Sequence, residues 1–221
     1  MQRQERATLT RDAIISGAAT VFQAHGYGMT SLADIAAASG VTKGALYFHF
    51  DSKEAIAHAV IAAQHAAAGA LDARIREAGT TGIAATLTAA FGLARQIRVN
   101  PIVRAGIRLT LEASSFQNPV VGPYLDWITW IEGYLREAVA EGDIRDDVDP
   151  SMLAHLIIPA FTGVQMVSAV LTQHDDLALR VEQMWLLLLP GVVPAEHWPL
   201  IRDLPARIRR EVCENPGLSN E

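Results

Sequence analysis

Residues 31–50 read SLADIAAASGVTKGALYFHF, and this stretch decides the fold. Ser31 and Asp34 stand in the S-x-x-D spacing of a capping box, which starts a helix that runs to about Ser39. Gly40 breaks the pattern and can supply the positive φ of a tight turn. Thr42 is placed to cap a second short helix ending near His49. Leu32, Ile35 and Ala36 form an inner face on the first helix, and Val41 and Leu46 give the second something to pack against. Two short helices around a glycine turn fit a helix-turn-helix.

What remains facing outward on the second helix is Thr42, Lys43, Gly44, Ala45, Tyr47 and His49, with Phe48 beside them. A helical glycine costs roughly 1 kcal/mol against alanine. Close approach of a ligand to the backbone would justify Gly44, and the major groove of double-stranded DNA is such a ligand. Lys43, near the helix start, is the candidate reader of guanine O6 and N7. Tyr47 and His49 are candidate phosphate donors, and the helix start at Ser52 and Lys53 is a candidate anion site. Thr30, just before the motif, joins the candidate DNA-binding set. The alternative is a plain helical hairpin whose aromatic residues are core.

Working outward, the pattern predicts an all-α protein. A first helix is expected over Thr10–His25, capped by Thr10 and ended by Gly26; a long alanine-rich helix follows the motif from Ser52 or Asp51 to about Arg76. Further helices are expected over Ile83–Val99, Ile102–Ala113, Tyr124–Glu141, Met152–Thr172, Leu177–Leu189 and His197–Glu214. Pro159, inside one of these, predicts a kink or split. The division this implies is a DNA-binding domain over 1–51 and a ligand-binding and dimerisation domain over 52–221.

The chain has 221 residues, half of them hydrophobic, which rules out wholesale disorder. Its net charge of −6 argues against a general polyanion binder. The charge is uneven, however. In residues 1–50, Arg3, Arg6, Arg11 and Lys43 outnumber Glu5, Asp12 and Asp34, so the acid lies further on. Lys43 and Lys53 are the two lysines of the whole sequence and flank one helix. Arg3, Arg6 and Arg11 are candidates for the DNA backbone or minor groove. A single cysteine, Cys213, excludes an intrachain disulfide and a cysteine metal cluster. No metal or cofactor is expected. No uninterrupted apolar run approaches the ~20 residues of a membrane span. Arg3 and Arg6 before Ala13–Phe22 faintly suggest a secretory leader, but Arg11–Asp12 and the spacing Ile14, Ala18, Val21, Phe22 belong to a helix face. A cytoplasmic protein is expected.

The stretch VTKGALYFHFDSKEAIAHAV resembles the tetracycline-repressor (TetR) family of regulators; the matching residues are Thr42, Gly44, Leu46, Tyr47, His49, Phe50, Ser52, Lys53 and Glu54. The resemblance implies three N-terminal DNA-binding helices, joined by a fourth to a helical ligand-binding and dimerisation domain. Lys43–Phe50, Arg104–Leu109 and Pro123–Trp127 resemble, more narrowly, the γ-butyrolactone-type autoregulator receptors of actinomycetes. Those repress antibiotic-biosynthesis and regulatory genes and leave their palindromic operator when a small diffusible lactone, butenolide or furan binds. The resemblance implies Trp127 as a central ligand contact and Gln64 as another, with Thr110 and Thr162 as further contacts. A switch is expected in which ligand binding moves the helix from Ser52 to Arg76, since that helix would hold the pocket by Gln64 and the DNA-binding unit by its N-terminus.

A pocket for a weakly polar signal is apolar with a few placed hydrogen bonders. Trp127, Trp130, Phe91, Phe116, Phe161 and Met166 offer walls; Gln64, Thr110, Thr162 and Gln165 offer polar groups. The alternative is that the aromatic residues are simply core. A homodimer is expected because one recognition helix reads only a short half-site. Leu177, Val181, Met184, Trp185 and Leu188 share a helix face that suits an interface, or equally burial within one chain. Enzyme readings are weak: no G-x-S-x-G or H-E-x-x-H is present, and Gly26-Tyr27-Gly28 follows a helix, not a strand. His58 and His65 share a face but lack a third metal ligand. A pseudo-receptor answering antibiotics, an activator and a regulator without ligand all stay open.

Overall fold

The computed structural model describes residues 2–112, 116 and 120–214, the side chains of Gln2 and Arg3 excepted. Among the described residues there is no strand. The helices are α1 Gln2–Met29, α2 Leu32–Ala38, α3 Lys43–His49, α4 Lys53–Glu77, α5 Gly82–Val99 and α6 Pro101–Leu111. They continue with α7 Gly122–Ala140, α8 Pro150–Thr172, α9 Leu177–Leu188, α10 Trp198–Ile201 and α11 Leu204–Arg209.

The capping chemistry expected around the motif is present. Ser31 Oγ accepts from the Asp34 amide at 3.2 Å, and Asp34 Oδ2 accepts from the Ser31 amide at 3.0 Å. Thr42 Oγ1 accepts from the Ala45 amide at 3.1 Å, and Ser52 Oγ accepts from the Ala55 amide at 3.0 Å. Gly40 takes φ +65°, as the turn requires.

Three expectations are corrected. Thr10 does not cap α1: the helix begins at Gln2, and the Thr10 hydroxyl donates to the Arg6 carbonyl inside it. Pro159 does not split α8, which runs unbroken over 23 residues. The last expected helix is three pieces, α10, α11 and a π-type turn over Arg210–Glu214, with Pro199 and Pro205 at the starts of the two helices. α8 is long and apolar enough by length and composition to cross a membrane, although His155, Thr162, Gln165 and Ser168 interrupt its apolar run. Ala113, the expected end of α6, lies outside the described residues.

The chain forms two compact units. The first comprises 1–68 and 99–121, the second 69–98 and 122–221. The first therefore adds α6 and the N-terminal part of α4 to the three-helix segment. Its core is built from Ile14, Ala18 and Phe22 of α1, Ile35 of α2, Leu46 of α3, Ile56 and Val60 of α4 and Leu109 of α6. α1 and α2 meet with almost no space between them. A Cβ on Gly17 would lie 2.7 Å from the Ser39 amide nitrogen and 2.8 Å from its Cα. In the second unit α7 packs on α8 and α8 on α9, and Phe91, Tyr134, Phe161 and Trp185 are buried.

Because the obstacle at Gly17 is backbone, it cannot swing aside. Gly17→Ala should cost about 1–3 kcal/mol from overpacking, more than the ~1 kcal/mol alanine gains in a helix. Urea denaturation checks this; an unchanged midpoint contradicts the close crossing.

Candidate functional site

α3 has seven residues, and Leu46 is the one the fold buries. Thr42, Lys43 and Gly44 are exposed, as are Tyr47 and, at 80 %, Phe48. Ala45 and His49 are half-buried, and the His49 ring sits edge-on to Phe48 at 5.1 Å. Gly44 is not in a left-handed conformation, and an added Cβ would meet nothing nearer than Thr42 Oγ1 at 3.9 Å. Nothing inside the described chain requires glycine there. Arg6 and Arg11 are exposed on α1, and the Arg11 guanidinium lies 5.2 Å from the centre of the Phe50 ring. Arg3 lies in α1, but its side chain is outside the described residues.

Two candidate DNA contacts are occupied elsewhere. Thr30 is buried, and its hydroxyl donates to the Gly26 carbonyl at 2.7 Å. Lys53 Nζ donates to the carbonyls of Tyr27 at 2.8 Å and Thr30 at 2.9 Å, and lies 4.3 Å from the centre of the Tyr27 ring. Both hold the α1–α2 turn. Their polarity suggested a surface role, but the carbonyls they satisfy lie some twenty residues away or in the preceding turn.

The candidate ligand contacts fall in both units, and each group stands by itself. In the first, Gln64 is fully buried, and neither of its amide atoms has a hydrogen-bond partner among the described residues. Its stem is seated against Gly106, where an added Cβ would lie 2.4 Å from Gln64 Cβ. Thr110 is buried and donates to the Gly106 carbonyl at 2.8 Å. In the second unit the half-buried Trp127 ring packs edge-on to Tyr124, centroids 5.2 Å apart. Tyr124 is hydrogen-bonded to Thr162, and burial raises its phenol above the ordinary value of 10. Phe161 and Gln165 are buried one helical turn apart on α8, and Gln165 Nε2 has no partner among the described residues. Tyr124 was missed by the sequence reading. Its place three residues before Trp127, on one helix face, was the available signal.

The other expected walls are placed differently. Phe116 belongs to the first unit, against Tyr27 at 4.6 Å and His58 at 5.5 Å. Phe91 is fully buried core, and Met166 is exposed on the outside of α8. Trp130 packs near Gly69, its ring edge 3.8 Å from where a Cβ would stand. His58 faces Glu54 at 3.8 Å. On α9, Leu177, Val181 and Trp185 are buried within their own unit, so that face is core and not an interface.

Residues 14–60 match the family profile for bacterial regulatory proteins of the tetR family, and residues 80–194 match that of the tetracyclin repressor-like C-terminal domain. The chain belongs to the TetR family. It is 34 % identical to the A-factor receptor protein of Streptomyces griseus over 192 residues, 87 % of this chain and 67 % of that protein. A solved structure of a γ-butyrolactone receptor (ArpA-like protein) matches with TM-score 0.78 and 34 % identity, covering 93 % of this chain and 99 % of that one. CprB from Streptomyces coelicolor, solved in complex with its biological operator sequence, matches with TM-score 0.76 and 34 % identity at the same coverages.

Within this TetR chain, Lys53 should act as a strut. Lys53→Met removes two charge-assisted hydrogen bonds and leaves two carbonyls short of a donor. It should lower stability by about 1–3 kcal/mol. Thermal denaturation measures this, and an unchanged melting temperature contradicts it.

Proposed function

We propose that the chain is a ligand-responsive transcriptional repressor. As a homodimer it binds a palindromic operator in double-stranded DNA, and a small diffusible signal of γ-butyrolactone, butenolide or furan type releases it. Its targets are antibiotic or other secondary-metabolite genes. It acts as a regulator and not an enzyme, in the cytoplasm and at the nucleoid when bound to DNA. The functional division is 1–51 for DNA and 52–221 for ligand and partner.

The observation that carries this reading is α3. Its open face presents one cation, a glycine with free space around it and two exposed aromatic rings, and the fold itself uses little besides Leu46. Such a face fits a major groove, with Lys43 on a base edge, Gly44 and Ala45 allowing close approach, and Thr42, Tyr47, Phe48 and His49 against bases or backbone. Arg3, Arg6 and Arg11 supply backbone or minor-groove contacts. Thr30 and Lys53 serve DNA binding indirectly, by holding the turn. The relatives' printed names, an A-factor receptor and an operator-bound regulator, support the same reading.

For the signal, the supporting observation is buried polarity. An unpaired buried amide costs about 1–3 kcal/mol, and a ligand carbonyl or hydroxyl offsets that. Gln64 and Gln165 are such groups, with Thr110, Thr162, Phe161 and Trp127 as further contacts. α4 contributes residues to both units, so a displacement of this one helix reaches both. The ligand must favour the DNA-free geometry, or it releases nothing.

Dimerisation is supported by the outer faces of α8 and α9. Met152, Leu156, Val167, Val170 and Leu171 are exposed on the first, Leu179, Leu186 and Leu187 on the second. Covering this much apolar surface is what a second copy does.

Selection from a random-core duplex library, followed by electrophoretic shift, tests DNA recognition. Lys43→Ala should weaken the selected duplex by about 1–3 kcal/mol and relax preference at one base pair. Uniform loss across all duplexes would make Lys43 a phosphate contact instead. Titrating the complex with γ-butyrolactones, butenolides and furans tests release. Trp127→Ala should keep DNA binding and lose the response; an unfolded variant would mark Trp127 as core. Release by antibiotics alone would identify a pseudo-receptor.

A further inference from the structure

The Arg104–Leu109 stretch contains a charged residue, Arg108, that neither the DNA reading nor the ligand reading uses. Its place is the damaged end of α1. Gly26 sits there at φ +75° and ψ 174°, far from helical values, although helix resumes after it. In an unbroken helix the Tyr27 amide would donate to the Gln23 carbonyl, four residues earlier. At Gly26 the chain swings out and that rung is lost.

Both halves of the rung are taken up by α6. Arg108 Nη1 donates to the Gln23 carbonyl at 2.6 Å. The Tyr27 amide donates to Glu112 Oε2 at 2.7 Å. The two side chains close on each other, Arg108 Nε donating to Glu112 Oε1 at 2.8 Å. A carboxylate and a guanidinium thus stand where one backbone hydrogen bond would be. The fit leaves no room for a side chain at residue 26. A Cβ there would lie 2.7 Å from Arg108 Nη2 and 2.9 Å from Glu112 Oε1. The left-handed φ independently calls for glycine. Four residues after Tyr27 the capping box of α2 begins, so the direction in which α1 ends sets where α2 and α3 start.

We propose that Arg108 and Glu112 are positioning residues for operator recognition: inserted in the broken rung, they fix the exit of α1 and so the orientation of α3. α6 then has a rigid connection to the reading helix that contains no DNA contact. The inference rests on the operator reading above. Exposed ion pairs alone contribute little. This pair differs in that each member also satisfies a backbone group that has lost its helical partner.

The test uses the full chain and two variants, Arg108→Ala and Glu112→Gln. The second is nearly isosteric, but glutamine has one oxygen where the carboxylate uses two, so it cannot serve both Arg108 and Tyr27. Affinity is measured for the duplex that the wild type selects from a random-core library, and for an unrelated duplex of equal length. Salt series and melting temperatures accompany both. The expected result is at least a tenfold fall in the ratio of selected to unrelated affinity in each variant. Unrelated-duplex affinity and its salt slope, which report phosphate contacts, should stay as in wild type. Melting of Glu112→Gln should stay within a few degrees of wild type. A folded Glu112→Gln with an unchanged ratio overturns the proposal. So does a parallel fall in both affinities, or loss of folding in Glu112→Gln, either of which leaves the pair a purely structural role. If Arg108→Ala does not fold, Glu112→Gln decides. A wild-type chain that selects no sequence overturns the operator reading itself and this inference with it.

Discussion

The DNA-facing half of the chain depends on how α1 ends. A long helix must stop abruptly and hand over to two short ones in the right direction, with every exposed backbone group at the break satisfied. The solution here is a glycine in left-handed conformation and three charged side chains from distant segments. Arg108 and Glu112 complete the broken rung, and Lys53 takes the carbonyls of Tyr27 and Thr30. Thr30 closes the turn from inside through the Gly26 carbonyl. A seven-residue helix such as α2 or α3 is not stable on its own, because nucleation uses up most of its hydrogen bonding. Both therefore take their place from this turn and from the core formed with α1 and α4. Short recognition helices are rigid only to the extent that their surroundings are.

The pattern of residues 31–50 was legible because it rests on local chemistry. A capping box, a threonine cap and a turn glycine act within four residues, and all three are found as expected. The start of α1 was illegible for a related reason. Residues 2–9 lack an apolar stripe, and Thr10 reads as a cap, while its hydroxyl, like that of Thr8, in fact returns to a carbonyl four residues earlier within the helix. The roles of Thr30 and Lys53 could not be read at all. Threonine and lysine beside a DNA-reading motif look like contacts to the phosphate backbone. Only the fold reveals that their partners are main-chain carbonyls, and such partners leave no trace in sequence spacing.

The candidate ligand contacts show the same division. Gln64 and Gln165 were legible as polar groups for an apolar pocket; what the sequence could not show is that both are buried and that the Gln64 amide and the Gln165 amide nitrogen have no hydrogen-bond partner among the described residues. Phe116 illustrates the opposite error. As an aromatic between two helical patterns it suited a pocket wall, yet its ring packs edge-on to Tyr27 and His58 in the first unit. Aromatic residues carry large apolar area wherever they are, so their presence alone cannot separate core from ligand surface. Polar neighbours can, and on that criterion Tyr124, which meets Thr162 and packs on Trp127, differs from the fully buried Phe91.

α8 explains why two readings of one helix conflicted. A helix that is apolar all round belongs inside a protein or a membrane. α8 satisfies the length and hydropathy of a membrane span, yet it also contains His155, Gln165 and Ser168, with Gln165 and Ser168 on its buried side. Leu153, Ile157 and Phe161 line that same buried side, while Met152, Leu156, Val167 and Val170 point away from it. The Ser168 hydroxyl donates to Asp176 at 2.7 Å, and Thr172 donates to the same carboxylate, which Arg180 also meets. Those three donors pull Asp176 well below the usual carboxylate range and tie α8 to α9 at one end. Gln165 and Ser168 thus lie on the side turned to its own chain, while the outer face is mostly apolar, with the exposed His155 among Met152, Leu156, Val167 and Val170. A bilayer would have to receive that face together with α9's Arg180, which is exposed. Under the proposed homodimer, that apolar face is the one a second copy would cover, as large exposed apolar patches call for a partner.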